Sequence, residues 1–158
     1  MDNFAREFNG ILIETYHNIL LMEETKKKYS SASFSFRDRN AVMYLAKYNE
    51  GKTLSEVAAY LRISRPSATV LVKKLSKHGF VRKFSEPGNE RSTMVALTKK
   101  GKLFAAYQRR YMKRMAAMVR DGLNEEEQEI LYKGLCKLNN FFADTIDEMA
   151  AVHSSDAK

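Results

Sequence analysis

Between residues 53 and 97 four elements follow one another in a fixed order, and that order limits the fold more than any other feature. Thr53-Leu54-Ser55-Glu56 is a capping-box pattern, a hydroxyl at the N-cap and a carboxylate three residues on. It opens a short helix with Leu54, Val57, Ala58 and Leu61 on its apolar side. A second helix begins around Ser64–Pro66 and carries Ala68, Leu71, Val72 and Leu75 at i, i+3, i+4 and i+7. It runs to His78, where Gly79 supplies the left-handed C-terminal stop. Ser64 is the better capping side chain, whereas Pro66 prefers the first helical position, which would make Arg65 the cap. Two strand-like runs follow, Phe80–Phe84 and Met94–Leu97, parted by the turn-rich tip Ser85-Glu86-Pro87-Gly88-Asn89-Glu90. A capped helix, a tight turn, a second helix and a hairpin make a helix-turn-helix with a wing.

Long helices flank this centre. Residues 3–28 place Phe4, Phe8, Ile11, Ile19 and Met22 near one face, widened by Leu12, Tyr16 and Leu20. Ser30-Ser31-Ala32-Ser33 is a polar break, and a helix over Phe36–Tyr48 ends at Asn49-Glu50-Gly51. Thr98 is an N-cap for a helix to Arg120, with Phe104, Tyr107, Tyr111, Met115 and Met118 along a face. After the Asp121-Gly122 break, Asn124 with Glu127 caps a last helix striped by Leu131, Leu135, Leu138, Phe142, Ile146 and Met149. The tail from His153 is expected to fray. The predicted class is therefore mainly α with a small β-wing. It divides into an N-terminal dimerisation helix (1–33), a winged helix-turn-helix (34–102) and C-terminal dimerisation helices (103–158). Dimerisation is expected because the terminal stripes exceed what a small winged core can cover; the alternative is a monomer that buries them internally.

Charge points to the partner. The chain has 158 residues and a formal net charge of +8. Residues 51–102 hold 12 basic side chains against three acidic ones, while the other 106 residues carry 15 basic and 16 acidic. The whole excess sits in the winged segment, the footprint expected for a polyanion. The length suits one ordinary domain. One cysteine excludes an internal disulfide and fits a reducing compartment. The start, Met1-Asp2-Asn3-Phe4, lacks the features of a signal peptide, and no apolar run reaches bilayer length. A cytoplasmic protein is expected.

The second helix of the pair has one apolar side, so Arg65, Ser67, Thr69, Lys73 and Lys77 face outward. Such groups suit a DNA major groove: arginine binds guanine through two hydrogen bonds, hydroxyls serve several bases, and lysine neutralises phosphate. The helix N-terminus, with Ser64, favours a phosphate as well. Ser55, near the start of the preceding helix, is a further phosphate candidate.

The stretch Leu54-Ser55-Glu56-Val57-Ala58-Ala59-Tyr60-Leu61-Arg62-Ile63-Ser64-Arg65-Pro66-Ser67-Ala68-Thr69 resembles the helix-turn-helix of the MarR family of transcription regulators. Asn89-Glu90-Arg91-Ser92, followed by Val95-Ala96-Leu97-Thr98-Lys99-Lys100-Gly101, resembles that family's wing, Asp-x-Arg-Ser/Thr leading into Leu-Thr-x-x-Gly. Asn89 departs from the pattern and loses the charge assistance that Asp gives the wing arginine. Arg62 stands where glycine is common, and a left-handed backbone there costs about 1–2 kcal/mol. The resemblance implies that Arg91 enters a narrow minor groove. It implies a homodimeric repressor on a pseudo-palindromic operator in double-stranded DNA, released by a small hydrophobic or aromatic effector. Aromatic and methionine candidates for that effector's pocket are Tyr16, Phe34, Phe36, Met43, Tyr44, Tyr107 and Tyr111, each of which could equally be plain core. The run Asn18-Ile19-Leu20-Leu21-Met22-Glu23-Glu24 is similar to members that control fatty-acid synthesis, which implies an acyl-chain ligand.

Other classes fit less well. A sequence-independent, architectural DNA-binding protein would share the basic face but recognise no operator. An enzyme is not expected, since no nucleophile elbow, phosphate loop or zinc motif is present. His17, His78 and His153 have no metal-ligand spacing, so neither metal nor cofactor is expected. Cys136 lies beside Leu135 and Leu138 and reads as a buried structural thiol.

Overall fold

Side-chain caps set most of the helix starts. In this computed structural model, which describes residues 2–29, 34–86 and 89–155, the order is α1 (Asn3–Tyr29), α2 (Phe36–Leu45), β1 (Lys52–Thr53), α3 (Leu54–Tyr60), α4 (Arg65–Lys77), β2 (Val81–Glu86), β3 (Asn89–Leu97), α5 (Lys99–Arg120) and α6 (Glu125–Ser155). The polar break at 30–33, the Pro87-Gly88 pair and the last three tail residues lie outside the described residues. Ser35 with Asp38 and Thr53 with Glu56 form reciprocal capping boxes on α2 and α3. Asn124 and Glu127 do the same at α6, through bonds of 2.8 and 3.0 Å. Ser64, and not Arg65, caps α4, with Pro66 accommodated inside the first turn where no intrahelical N–H partner is needed.

The chain divides into two units, Met1–Arg109 and Arg110–Lys158, the division falling within α5. In the first, a three-stranded antiparallel sheet has the order β1-β3-β2, with Lys52 opposite Val95 and Val81 opposite Leu97. Val42 and Leu45 of α2, Val57 of α3, Leu71, Val72 and Leu75 of α4, Val81, Val95 and Leu97 of the sheet, and Ala105 of α5 close over one apolar core with Phe80. The predicted stripe Ala68, Leu71, Val72, Leu75 is buried as read. In the second unit the end of α5 and α6 leave Ile130, Tyr132, Leu135, Phe141, Ile146 and Met149 exposed. Cys136 is half-buried, not buried as expected, on a helix whose apolar side lies open.

Several boundaries differ from the sequence reading, and α6 continues to Ser155 where fraying from His153 is expected. Helix α2 stops at Leu45, three residues early, because the Lys47 and Tyr48 amides turn back to the Tyr44 and Leu45 carbonyls. Gly51 then takes φ +90°, where an added Cβ would sit 2.6 Å from the Val95 carbonyl oxygen. This close approach lets Lys52–Thr53 pair with β3 as the unforeseen third strand. The hairpin strands are also longer, reaching Glu86 and starting at Asn89, with an irregular register at Ser85/Glu86. Arg62 does adopt the left-handed conformation, at φ +50°.

One cap carries a pH prediction. The Glu56 carboxylate accepts bonds from Lys52 Nζ, Thr53 N and Thr53 Oγ1, each 2.8 Å. The Lys52 bond, then those from Thr53, hold its pKa down at about 2. A depressed carboxylate stabilises the fold fully above its unfolded value near 4.3, and that contribution is lost as pH falls through about 2. In urea unfolding, the stability gap between the native chain and Glu56→Gln is expected to close as pH falls from about 4.5 to 2. A gap that is constant across this range would contradict the charged cap.

Candidate nucleic-acid interface

The placement of α4 follows from its two ends and its middle. At its start the Ser64 hydroxyl accepts from the Ser67 amide (3.3 Å) and lies 2.9 Å from the Ser67 hydroxyl. At its end Thr98 Oγ1 donates to the Gly79 carbonyl at 2.6 Å, so the first residue of the α5 cap also fastens the α4 terminus. The Gly101 amide donates to that same hydroxyl at 3.1 Å. Midway, Lys74 Nζ reaches the buried Asp38 carboxylate of α2 at 2.5 Å. Lys74 had counted in the sequence only as one of the basic residues; it turns toward the protein because Asp38 sits in the α2 capping box just beneath.

The remaining candidates stay outside. Ser64, Arg65, Ser67, Thr69, Lys73 and Lys77 are all exposed along α4, and Ser55 is exposed in the first turn of α3. The Thr69 hydroxyl donates back to the Arg65 carbonyl at 2.9 Å, which leaves its methyl free of that bond. No acidic residue stands in the first turn of α4, so nothing there offsets the positive end of the helix dipole. Arg91 lies in β3, two residues past its start. Arg82 and Lys83 of β2 are exposed further along the sheet, opposite Ala96 and Val95, and the Arg82 guanidinium stacks 4.6 Å over the Phe84 ring. The outward arc of α4 also contains Val70, 70% exposed, which the sequence reading passed over. Its signal was available: it is the one β-branched aliphatic residue of the helix lying off the apolar stripe.

The seven effector-pocket candidates separate. Phe34 meets Phe80 edge-on at 4.6 Å and lies near Phe104 and His78. Tyr44 instead stacks on Tyr60 at 4.0 Å, and burial pushes its hydroxyl pKa up. Met43 packs half-buried against the core. Phe36 lines a groove of about 340 Å³ with Arg37, Asn40, Tyr60, Leu61 and Arg62. Tyr16, Tyr107 and Tyr111 lie exposed on α1 and α5. A smaller cavity of about 150 Å³ is lined by Leu45, Ala46, Tyr48, Asn49, Leu97, Lys102, Ala105 and Arg109. Among the described residues no three His, Cys, Asp or Glu side chains gather as metal ligands.

Comparison with known proteins agrees with this geometry. The MarR family model matches residues 39–93. FabT of Streptococcus pneumoniae, solved in complex with DNA, is 26% identical, with a TM-score of 0.76 over 89% of this chain and 98% of that one. A MepR mutant of S. aureus is 17% identical, with a TM-score of 0.67 over 89% and 99%. The adhesin competence repressor AdcR of Streptococcus pyogenes is 19% identical, with a TM-score of 0.67 over 85% and 96%. No curated protein matches the chain. Among the described residues no helix is long and apolar enough to cross a membrane. The helix-turn-helix stretch Leu54–Thr69 and the start of the wing, Asn89–Thr93, thus fall inside the segment that matches the MarR family model, and the fold is similar to that of FabT.

Proposed function

We propose that the chain is a DNA-binding transcriptional regulator and not an enzyme, a homodimeric repressor that grips a pseudo-palindromic operator with two copies of α4 and the β2–β3 wing. The observation that carries this reading is the arc of Arg65, Ser67, Thr69, Lys73 and Lys77, all exposed on one capped helix of a FabT-like fold. The dimer is supported by α1 and α6, where Phe4, Ile11, Leu135, Phe142 and Ile146 stand in the open and require a cover. In this reading residues 1–33 and 103–158 are the dimerisation helices and 34–102 read the DNA. Arg91 enters the minor groove beside α4, and Ser55 meets a phosphate. Release follows when a small hydrophobic or aromatic effector binds the DNA-incompetent shape more tightly. The likeness of Asn18–Glu24 to fatty-acid-synthesis regulators supports an acyl chain as that effector.

The test begins with duplexes selected from a random pool by the native chain. Selected and scrambled duplexes are then compared from about 50 to 200 mM salt. The selected duplex is expected to bind at least about 10³-fold more tightly. Arg91→Ala is expected to weaken that binding by about tenfold, the value of one groove contact, with the solution mass unchanged. Equal affinity for all duplexes would leave an architectural DNA-coating protein, and an unaffected Arg91→Ala would remove the wing from the interface.

A further inference from the structure

We infer that Val70 reads the C5-methyl group of a thymine in each half of the operator, an assignment that rests on the DNA-binding reading above. Ala68 and Val72 of α4 are both 0% exposed and so mark the direction of the core. Val70 lies two residues from each, about 200° round a helix of 3.6 residues per turn, and therefore points straight away from the protein at 70% exposure. Ser67, Lys73 and Lys77 share that outward side at spacings of three and seven residues, and all three are exposed.

Stability does not account for this valine. A β-branched side chain loses rotamer freedom in a helix, and alanine forms helix more readily. Exposed as it is, Val70 gains little from burial within its own chain. It has neither donor nor acceptor, so it cannot answer the hydrogen-bonding edges of guanine, cytosine or adenine. The one apolar mark in the major groove is the thymine methyl, and an aliphatic side chain is its complement. Flanking hydroxyls and lysines would hold the phosphates and neighbouring base edges while Val70 closes on that methyl.

Deoxyuridine lacks only the methyl and keeps every hydrogen-bonding group of thymine. In a duplex selected by the native chain, each thymine is replaced by deoxyuridine in turn, and binding is measured with the native chain and with Val70→Ala. One thymine per half-site is expected to cost the native chain about fourfold in affinity, the value of one buried methyl group. For Val70→Ala the same replacement is expected to cost nothing, while its thermal stability equals or exceeds that of the native chain. A native chain that discriminates its duplex but binds every deoxyuridine version as tightly overturns the assignment of Val70 alone. A chain that discriminates no duplex at all overturns that assignment together with the reading beneath it.

Discussion

Gly101→Ala is expected to lower the unfolding free energy by about 3 kcal/mol or more, at the upper end of overpacking costs. Gly101 sits in the first turn of α5, where an added Cβ would lie 2.1 Å from the Phe80 carbonyl oxygen and 3.2 Å from Leu97 Cδ2. The nearest atom is backbone, held by bonds from the Thr98 amide (3.1 Å) and the Thr98 hydroxyl (3.3 Å), so it cannot swing aside as a side chain would. For a chain of this size the loss is a fall in Tm of roughly 6–12 °C. Gly134 of α6 supplies the control. Nothing lies within 4 Å of its added Cβ, so Gly134→Ala is expected to gain up to about 1 kcal/mol from helix propensity. Thermal melts of the two variants that shift together would sink this account of the Leu97-Thr98-x-x-Gly101 motif.

Leu135→Glu is expected to convert the proposed dimer into a monomer and to cut operator affinity by at least about a hundredfold, since the second half-site is then no longer held at high effective concentration. Leu135 is 55% exposed on α6, so a glutamate there meets water within one chain and continues the helix nearly as well as leucine. In a dimer the same charge would enter an apolar contact with Phe142 and Ile146 of the stripe, where an unpaired carboxylate is costly. Sedimentation velocity gives the mass and circular dichroism the helix content. A variant that keeps both the native mass and the native affinity removes α6 from the interface.

Much of the winged unit was legible because its signals are local. Both halves of each capping box stand three residues apart, and the α4 stripe repeats at helical spacing, so Thr53, Glu56, Ala68, Leu71, Val72 and Leu75 could be placed without knowing the rest of the chain. What escaped was set by distant partners. Two residues cannot announce a strand; Lys52–Thr53 become one only because β3 arrives more than forty residues later and Gly51 permits the approach. Lys74 looked like its neighbour Lys73, and only the position of Asp38, thirty-six residues earlier, sends one inward and leaves the other out. The candidate site followed the same division. The exposed arc of α4 was readable from one helix, but which aromatics meet depends on three-dimensional packing, so Phe34 and Tyr44 join different groups.

Asp38 and Arg39 are consecutive residues in the first turn of α2, and each holds a different helix. Asp38 takes Lys74 of α4, while the Arg39 guanidinium pairs with Glu23 of α1 and donates to the Phe34 carbonyl at 2.9 Å. The opening turn of α2 is thus a shared anchor, with Glu23 of the long N-terminal helix on one side and Lys74 of the outward-facing helix on the other. Two neighbouring residues of one turn fasten both helices, so this turn does the work of a tie between elements that lie about fifty residues apart in the chain.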